Sequence, residues 1–73
     1  MNINDFINSL SNELNKNNFH YIEIIKEFNR YDKSYLIRII YYKDNKGYCH
    51  AFYIHEKWLN EECINDIVNR LLS

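Results

Sequence analysis

The run SYLIRIIYYK, from Ser34 to Lys43, constrains the fold of this chain more than any other stretch. Six of its ten positions are β-branched or aromatic, which is the composition that favours strands. The segment DNKG follows, with the only glycine of the chain, and YCHAFYIH then has the composition of a second strand. This order predicts a β-hairpin, and 73 residues leave room for one small domain over residues 1–73.

Amphipathic helices are predicted at both ends of the chain. In MNINDFINSLSNELNKNN, apolar residues recur at spacings of three and four, and Asn2 or Asn4 can cap the start. In NEECINDIVNRLLS, Asn60 is the expected N-cap, and EKW just before it can add an extra turn. The expected buried stripes are Ile3, Phe6, Ile7, Leu10 and Leu14 in the first helix and Ile64, Ile67, Val68, Leu71 and Leu72 in the last.

The segment FHYIEIIKEFN is predicted to be a further strand, because its apolar residues change to a period of two. Lys26 interrupts the apolar face of this strand, which suggests a bulge or a strand end nearby. The element order is then helix, three strands, helix. Short loops make the strands an antiparallel meander, so the predicted fold class is α+β, a two-layer sandwich with both helices on one face of the sheet.

The pairing within the hairpin decides which side chains face the helices. If DNKG is a four-residue loop with Gly47 at positive φ, Lys43 pairs with Tyr48 and Ile39 faces Phe52. The resulting core face is Tyr35, Ile37, Ile39, Tyr41, Phe52 and Ile54, with His50 near its edge. A loop one residue longer or shorter would exchange the faces of the third strand, and we prefer the first pairing because it keeps Arg38 and His55 out of the core.

The opposite face of the sheet has no helix left to cover it, yet it is rich in apolar and aromatic residues. Such a face suggests contact with a partner, while a solvated face that carries scattered tyrosines remains an equal alternative. The residues predicted to bind a partner are Tyr21, Glu23, Leu36, Arg38, Tyr42, Tyr53 and His55. The same surface has two alternative uses. It could pack against its counterpart in a homodimer, or a single-stranded nucleic acid could stack on Tyr42 and Tyr53.

The charge balance argues against a dedicated nucleic-acid binder. Nine basic and ten acidic residues give a net charge of −1, without the basic excess that phosphate binding needs or the acidic excess of a DNA mimic. The helix–meander–helix order also occurs in double-stranded RNA-binding domains, but their lysine-rich segment is replaced by HEKWLNEEC. Direct nucleic-acid binding is therefore not expected.

The reactive side chains do not form a recognisable chemical motif. Cys49 and His50 are adjacent on a strand and point to opposite faces, and no zinc-binding or nucleophile motif is present. Cys63 lies beside the buried stripe of the last helix and is expected to be a small core residue. We therefore predict no metal, no cofactor and no enzymatic activity, and we expect a reduced cytoplasmic setting without a membrane segment.

The opening MNIND, Met1 to Asp5, together with the helix–meander–helix layout, resembles small phage anti-CRISPR proteins that inhibit the type II nuclease. The resemblance implies a non-enzymatic inhibitor encoded by a phage or mobile element, which occludes the surface of a larger host protein or ribonucleoprotein complex in the bacterial cytoplasm. The DNA-mimicking member of that group is strongly acidic in its later half, and this chain is nearly neutral. The resemblance assigns no functional residue.

Overall fold

The computed structural model describes all residues from 1 to 73 and confirms the predicted α+β layout. The chain forms a helix, then an antiparallel sheet, then a second helix, as the sequence predicts. The strands lie side by side in the order β1-β2-β3. Neither helix is long and apolar enough to cross a membrane. The elements are α1 (Ile3–Lys16), β1 (His20–Asn29), β2 (Ser34–Lys43), β3 (Lys46–His55), a 3-10 turn (Glu56–Trp58) and α2 (Glu61–Leu72).

Both helices begin at an asparagine cap. The side-chain oxygen of Asn2 accepts a hydrogen bond from the N–H of Asp5 at 2.9 Å, and that of Asn60 accepts one from Cys63 at 2.9 Å. Each bond satisfies a backbone donor that has no partner inside the first helical turn. After α1 the chain turns at Asn18, whose φ of 65° is the left-handed conformation that asparagine tolerates.

The hydrophobic core lies between the helices and one face of the sheet. Phe6 of α1, Ile37 of β2 and Ile64 of α2 are completely buried within it. The predicted core face is confirmed, with Tyr35 and Phe52 half-buried at its margin and His50 exposed at its edge. The buried residues are Phe6, Leu10, Leu14, Phe19, Ile37, Ile39, Tyr41, Ile54, Leu59, Ile64, Ile67 and Val68.

The predicted pairing of the hairpin is wrong by two residues. Lys43 pairs with Lys46, and only Asp44 and Asn45 form the loop, with φ of 53° and 64°. These angles suit the type I′ turn that two-residue hairpins favour, so Gly47 is an ordinary strand residue without a positive φ. Because side chains alternate with a period of two, a shift of two residues changes every cross-strand partner and leaves every side chain on its predicted face.

The irregularity of β1 also lies elsewhere than predicted. Pairing with β2 is regular at Lys26, which faces Ile37, and the register shifts instead between His20 and Glu23. Lys26 is compatible with a regular strand because its ammonium reaches over the edge of the helical layer and donates to the side-chain oxygen of Asn4 at 2.7 Å.

Candidate functional site

The candidate site is the face of the sheet that carries no helix, which we call the open face. The observed registers bring side chains from all three strands together on it. Its central row contains Ile25, Arg38 and Ala51, one from each strand. The open face consists of Tyr21, Glu23, Ile25 and Glu27 of β1, of Leu36, Arg38, Ile40 and Tyr42 of β2, and of Cys49, Ala51, Tyr53 and His55 of β3, with Tyr21 placed there by its ring contact with Tyr42.

Arg38 holds the centre of the open face. Its Nη1 lies 3.2 Å from Oε1 of Glu27, and both side chains remain substantially exposed. An exposed pair of this kind contributes at most about 1 kcal/mol to stability. Its main effect is to orient the guanidinium across β1, and the donors that Glu27 does not use stay available to a partner.

Tyr53 is held at one end of the open face by the loop between β1 and β2. Its hydroxyl donates to Oδ2 of Asp32 at 2.6 Å and accepts from Nδ2 of Asn29 at 3.3 Å. The bond to the Asp32 carboxylate is the main reason why the pKa of Tyr53 is raised above its ordinary value. The ring is still 57% exposed, so a large aromatic surface is presented in a fixed orientation.

Tyr21 and Tyr42 form a second aromatic group at the other end of the open face. Their rings meet edge to face at 5.9 Å between centroids, and the Tyr42 ring lies against Gly47, its cross-strand partner. Tyr42 is 51% exposed and Tyr21 is 85% exposed. Such edge-to-face contacts fix ring orientation without burying the rings.

Tyr21 also has an unusual backbone conformation for a residue within a strand. It sits at the register shift of β1 and has a φ of 53°. For a bulky residue this left-handed conformation costs about 1–2 kcal/mol. The register shift accounts for this conformation, because residues at β-bulges adopt left-handed angles.

The structure places the predicted partner-binding residues in two groups on the open face. Leu36 is the cross-strand partner of Tyr53 and lies near Arg38, while Tyr21 and Tyr42 form the other group. Glu23 lies between these groups, opposite Ile40.

His55 lies at the extreme end of β3, half-buried. Its Nδ1 accepts the N–H of Lys57 at 3.1 Å and caps the 3-10 turn. That bond gives the imidazole a local structural role.

Sequence reasoning missed the contribution of the loop between β1 and β2. Asn29 ends the predicted strand FHYIEIIKEFN and Asp32 lies between two predicted strands, yet both hold the Tyr53 hydroxyl. Asp32 also accepts the N–H of Ser34 at 3.2 Å, a local bond that fixes its carboxylate. The pattern of asparagine and aspartate in NRYD signals such turn bonds, but the approach of Tyr53 depends on the hairpin register.

Clusters that could support metal chemistry are absent from the chain. No group of three or more His, Cys, Asp or Glu side chains comes together at metal-binding distance. Cys49 is exposed on the open face, whereas Cys63 is half-buried against the core. Burial, and then the nearby Asp66 carboxylate, raise the pKa of the Cys63 thiol, which opposes formation of the reactive thiolate.

Comparison with known protein families, with curated proteins and with solved structures gives no match.

We expect the protein to lose thermal stability as the pH rises above about 10. Burial, and then the charge of Tyr48, raise the pKa of Tyr41. Tyr53 also has a raised pKa, through its bond to Asp32. A group whose pKa is higher in the folded than in the unfolded chain stabilises the fold below the unfolded value, and loses that effect as pH rises through the folded value.

Thermal melts from about pH 8 to about pH 11 measure this loss. Tyr53→Phe removes the ionisable hydroxyl of one tyrosine and should make the decline shallower. A melting temperature that is constant across this range would contradict the expectation.

Proposed function

We propose that this chain is a non-enzymatic protein-binding module that uses the open face to cover a surface of a larger protein. The observation that carries the proposal is the character of that face. Three tyrosines that are at least half exposed, Tyr21, Tyr42 and Tyr53, flank the half-buried aliphatic residues Leu36 and Ile40. Tyrosine and arginine over an apolar centre are the residues that dominate protein interfaces.

The charges of the open face favour a protein over a nucleic acid. Glu23 and Glu27 lie on β1, and Arg38 already points one of its donors at Glu27. The ionised groups of this face therefore sum to a negative charge, since one arginine stands against two glutamates. Phosphate backbones need an excess of cations for tight binding, so the electrostatic contribution to nucleic-acid affinity is unfavourable.

Within this class we propose a phage or mobile-element inhibitor of an RNA-guided bacterial defence complex, acting by surface occlusion. The support is the MNIND opening and the helix–meander–helix order. The test is cleavage of a plasmid by a purified type II RNA-guided nuclease, with and without a molar excess of the chain. We expect uncleaved plasmid to accumulate. Full cleavage by type II nucleases from several bacteria would contradict the inhibitor proposal and leave protein binding to be tested by itself.

Tyr21→Asn separates binding from folding. Asparagine accepts the left-handed conformation, so relief of about 1–2 kcal/mol of strain offsets the loss of a ring contact worth about 0.5–1.5 kcal/mol. The free energy of unfolding should stay within about 1 kcal/mol of the wild type, as measured in urea. Affinity for the inhibited nuclease should fall about tenfold, the effect of one peripheral tyrosine.

Tyr31→Asn is the matched control, because Tyr31 is 90% exposed and lies in the loop between β1 and β2. It should change neither stability nor affinity. A Tyr21→Asn variant that binds as tightly as the wild type would remove this end of the open face from the interface.

A further inference from the structure

The two edges of the sheet differ in how they are protected against further strand pairing. The outer edge of β1 has a register shift next to His20 and carries the charges of Glu23, Lys26 and Glu27. Bulges and charged side chains are the usual means of blocking an edge. From Gly47 to Ile54, β3 has no Asp, Glu, Lys, Arg or proline, and its register with β2 is unbroken.

The free hydrogen-bonding groups of β3 form a regular row along this unprotected edge. In an antiparallel pair, alternate residues exchange both backbone bonds with the neighbouring strand. The two-residue loop places Lys46 among the bonded residues, since it closes the turn with Lys43. The residues whose N–H and C=O point away from β2 are then Gly47, Cys49, Ala51, Tyr53 and His55, and Ala51 is the middle one.

A groove of about 370 Å³ runs between this edge and α2. Phe52 and Ile54 of β3 line it on one side, and Ile67 of α2 lines it on the other. Asp66 and Arg70 stand on the helical wall, and neither forms an ion pair within the chain. The edge thus combines free backbone groups, an apolar groove and two unpaired opposite charges.

We propose that this edge binds a second copy of the chain, with β3 pairing antiparallel to β3 of the other copy about a two-fold axis at Ala51. A two-fold axis at the middle of the row lets each of its free residues meet a free residue of the other copy, with Cys49 opposite Tyr53. Any other centre leaves part of the row unpaired.

The charges of α2 support a self-complementary partner. The short connection from β3 makes α2 run back along the same edge, so a two-fold axis brings the two α2 helices antiparallel to each other. Asp66 and Arg70 both line the groove at this edge, so in the antiparallel arrangement the acid of each helix is directed toward the base of the other. A foreign strand would have to supply an acid and a base at matching positions.

The proposed dimer is distinct from one that packs open faces together, and it does not depend on the function proposed above. Residues that pair directly across an antiparallel ladder point to the same side. The two open faces therefore join into one continuous six-stranded surface, which remains exposed. An inhibitor with this geometry would present its binding face twice.

Disulfide trapping tests the axis. In the proposed pairing the Cα atoms of the two Ala51 residues are about 5.5 Å apart, within the range that a disulfide spans. We expect Ala51→Cys, made with Cys49→Ser and Cys63→Ser, to cross-link under mild oxidation into a covalent dimer of twice the 9.0 kDa chain mass. The matched control keeps Cys49 and carries only Cys63→Ser, because the two Cys49 residues would be about 14 Å apart along the strands.

The cross-linked fraction should be at least tenfold greater for Ala51→Cys than for the control. Equal or greater cross-linking of the Cys49 control would overturn the proposed axis. The absence of cross-linking in both would overturn the β3 pairing.

Sedimentation equilibrium tests the dimer without new cysteines. Ala51→Pro removes an N–H that points away from β2, so the sheet of one copy keeps its bonds while the row loses its central donor. We expect wild type and Ala51→Ser to sediment as dimers at hundreds of micromolar, and Ala51→Pro as a folded monomer. A monomeric wild type would overturn the proposal, even if it bound foreign strands. A dimer that survives Ala51→Pro would also overturn it.

Discussion

Phe6→Ala is expected to remove most of the stability of the fold at room temperature. Phe6 is completely buried where α1 faces the sheet. Removal of a buried phenylalanine ring costs about 3–5 kcal/mol, because apolar contacts are lost and the cavity closes only in part. A domain of this size has a free energy of unfolding of about 5 kcal/mol, so one substitution removes most of it. Urea titration followed by circular dichroism measures the change.

Phe28→Ala is the matched control for this prediction. Phe28 is 48% exposed on β1 and touches only the margin of the core, through the ring of Tyr35 at 4.7 Å. The same change of side chain should cost about 1 kcal/mol there, mainly the loss of one aromatic pair. If both variants unfold at the same urea concentration, the helices do not pack on the sheet face assigned to them.

The sequence was sufficient to predict the two layers and the core face because both depend on periodicity. Apolar spacing of three and four marks α1 and α2, and the alternation in β2 separates Ile37 from Arg38 whatever the loop does. The assignment of faces for β3 tolerated an error of two residues, since only an odd shift exchanges the faces. This is why the open face could be predicted while each pair in the hairpin could not.

The turn and the bulge could not be predicted because each depends on a competition between residues. Gly47 is the residue most tolerant of positive φ, yet Asp44 and Asn45 adopt it. They form a tighter loop, which extends the ladder with the Lys43–Lys46 pair. Lys26 looks like an interruption until the position of Asn4 on α1 is known, and that contact is a property of the assembled layers.

The sequence predicts which residues lie on the candidate site, but it does not predict the hydrogen bonds that hold their side chains. The alternation of β2 and β3 is enough to place Arg38 and Tyr53 on one face. The carboxylate of Asp32, which fixes the Tyr53 hydroxyl, comes from a loop whose path the sequence pattern does not determine. The division of the face into two aromatic groups, with Arg38 between them, likewise follows only from the observed register.

The double variant Arg38→Glu with Tyr53→Ala is expected to weaken partner binding at least hundredfold. Tyrosine and arginine anchors commonly contribute about 2 kcal/mol or more each when truncated, and about 1.4 kcal/mol is a tenfold change in affinity. The new carboxylate also lies beside Glu23 and Glu27 of β1. A partner surface that is complementary to the arginine would then face three carboxylates. Calorimetric titration against a type II nuclease that the cleavage test finds to be inhibited measures the loss.

The fold should survive this double change, because both side chains lie on the open face and neither belongs to the core. The expected cost is about 2 kcal/mol, from the exposed ion pair, from repulsion between neighbouring carboxylates and from the lost hydrogen bonds of the Tyr53 hydroxyl to Asp32 and Asn29. Lys16→Glu with Tyr31→Ala is the matched control, since it makes the same kinds of substitution on α1 and in the loop between β1 and β2. Wild-type affinity in the open-face variant, or an equal loss in the control, would mean that the partner binds another surface. If binding is lost in the first alone and both variants keep a cooperative thermal unfolding transition, the open face is the binding surface, with Arg38 and Tyr53 among its anchors.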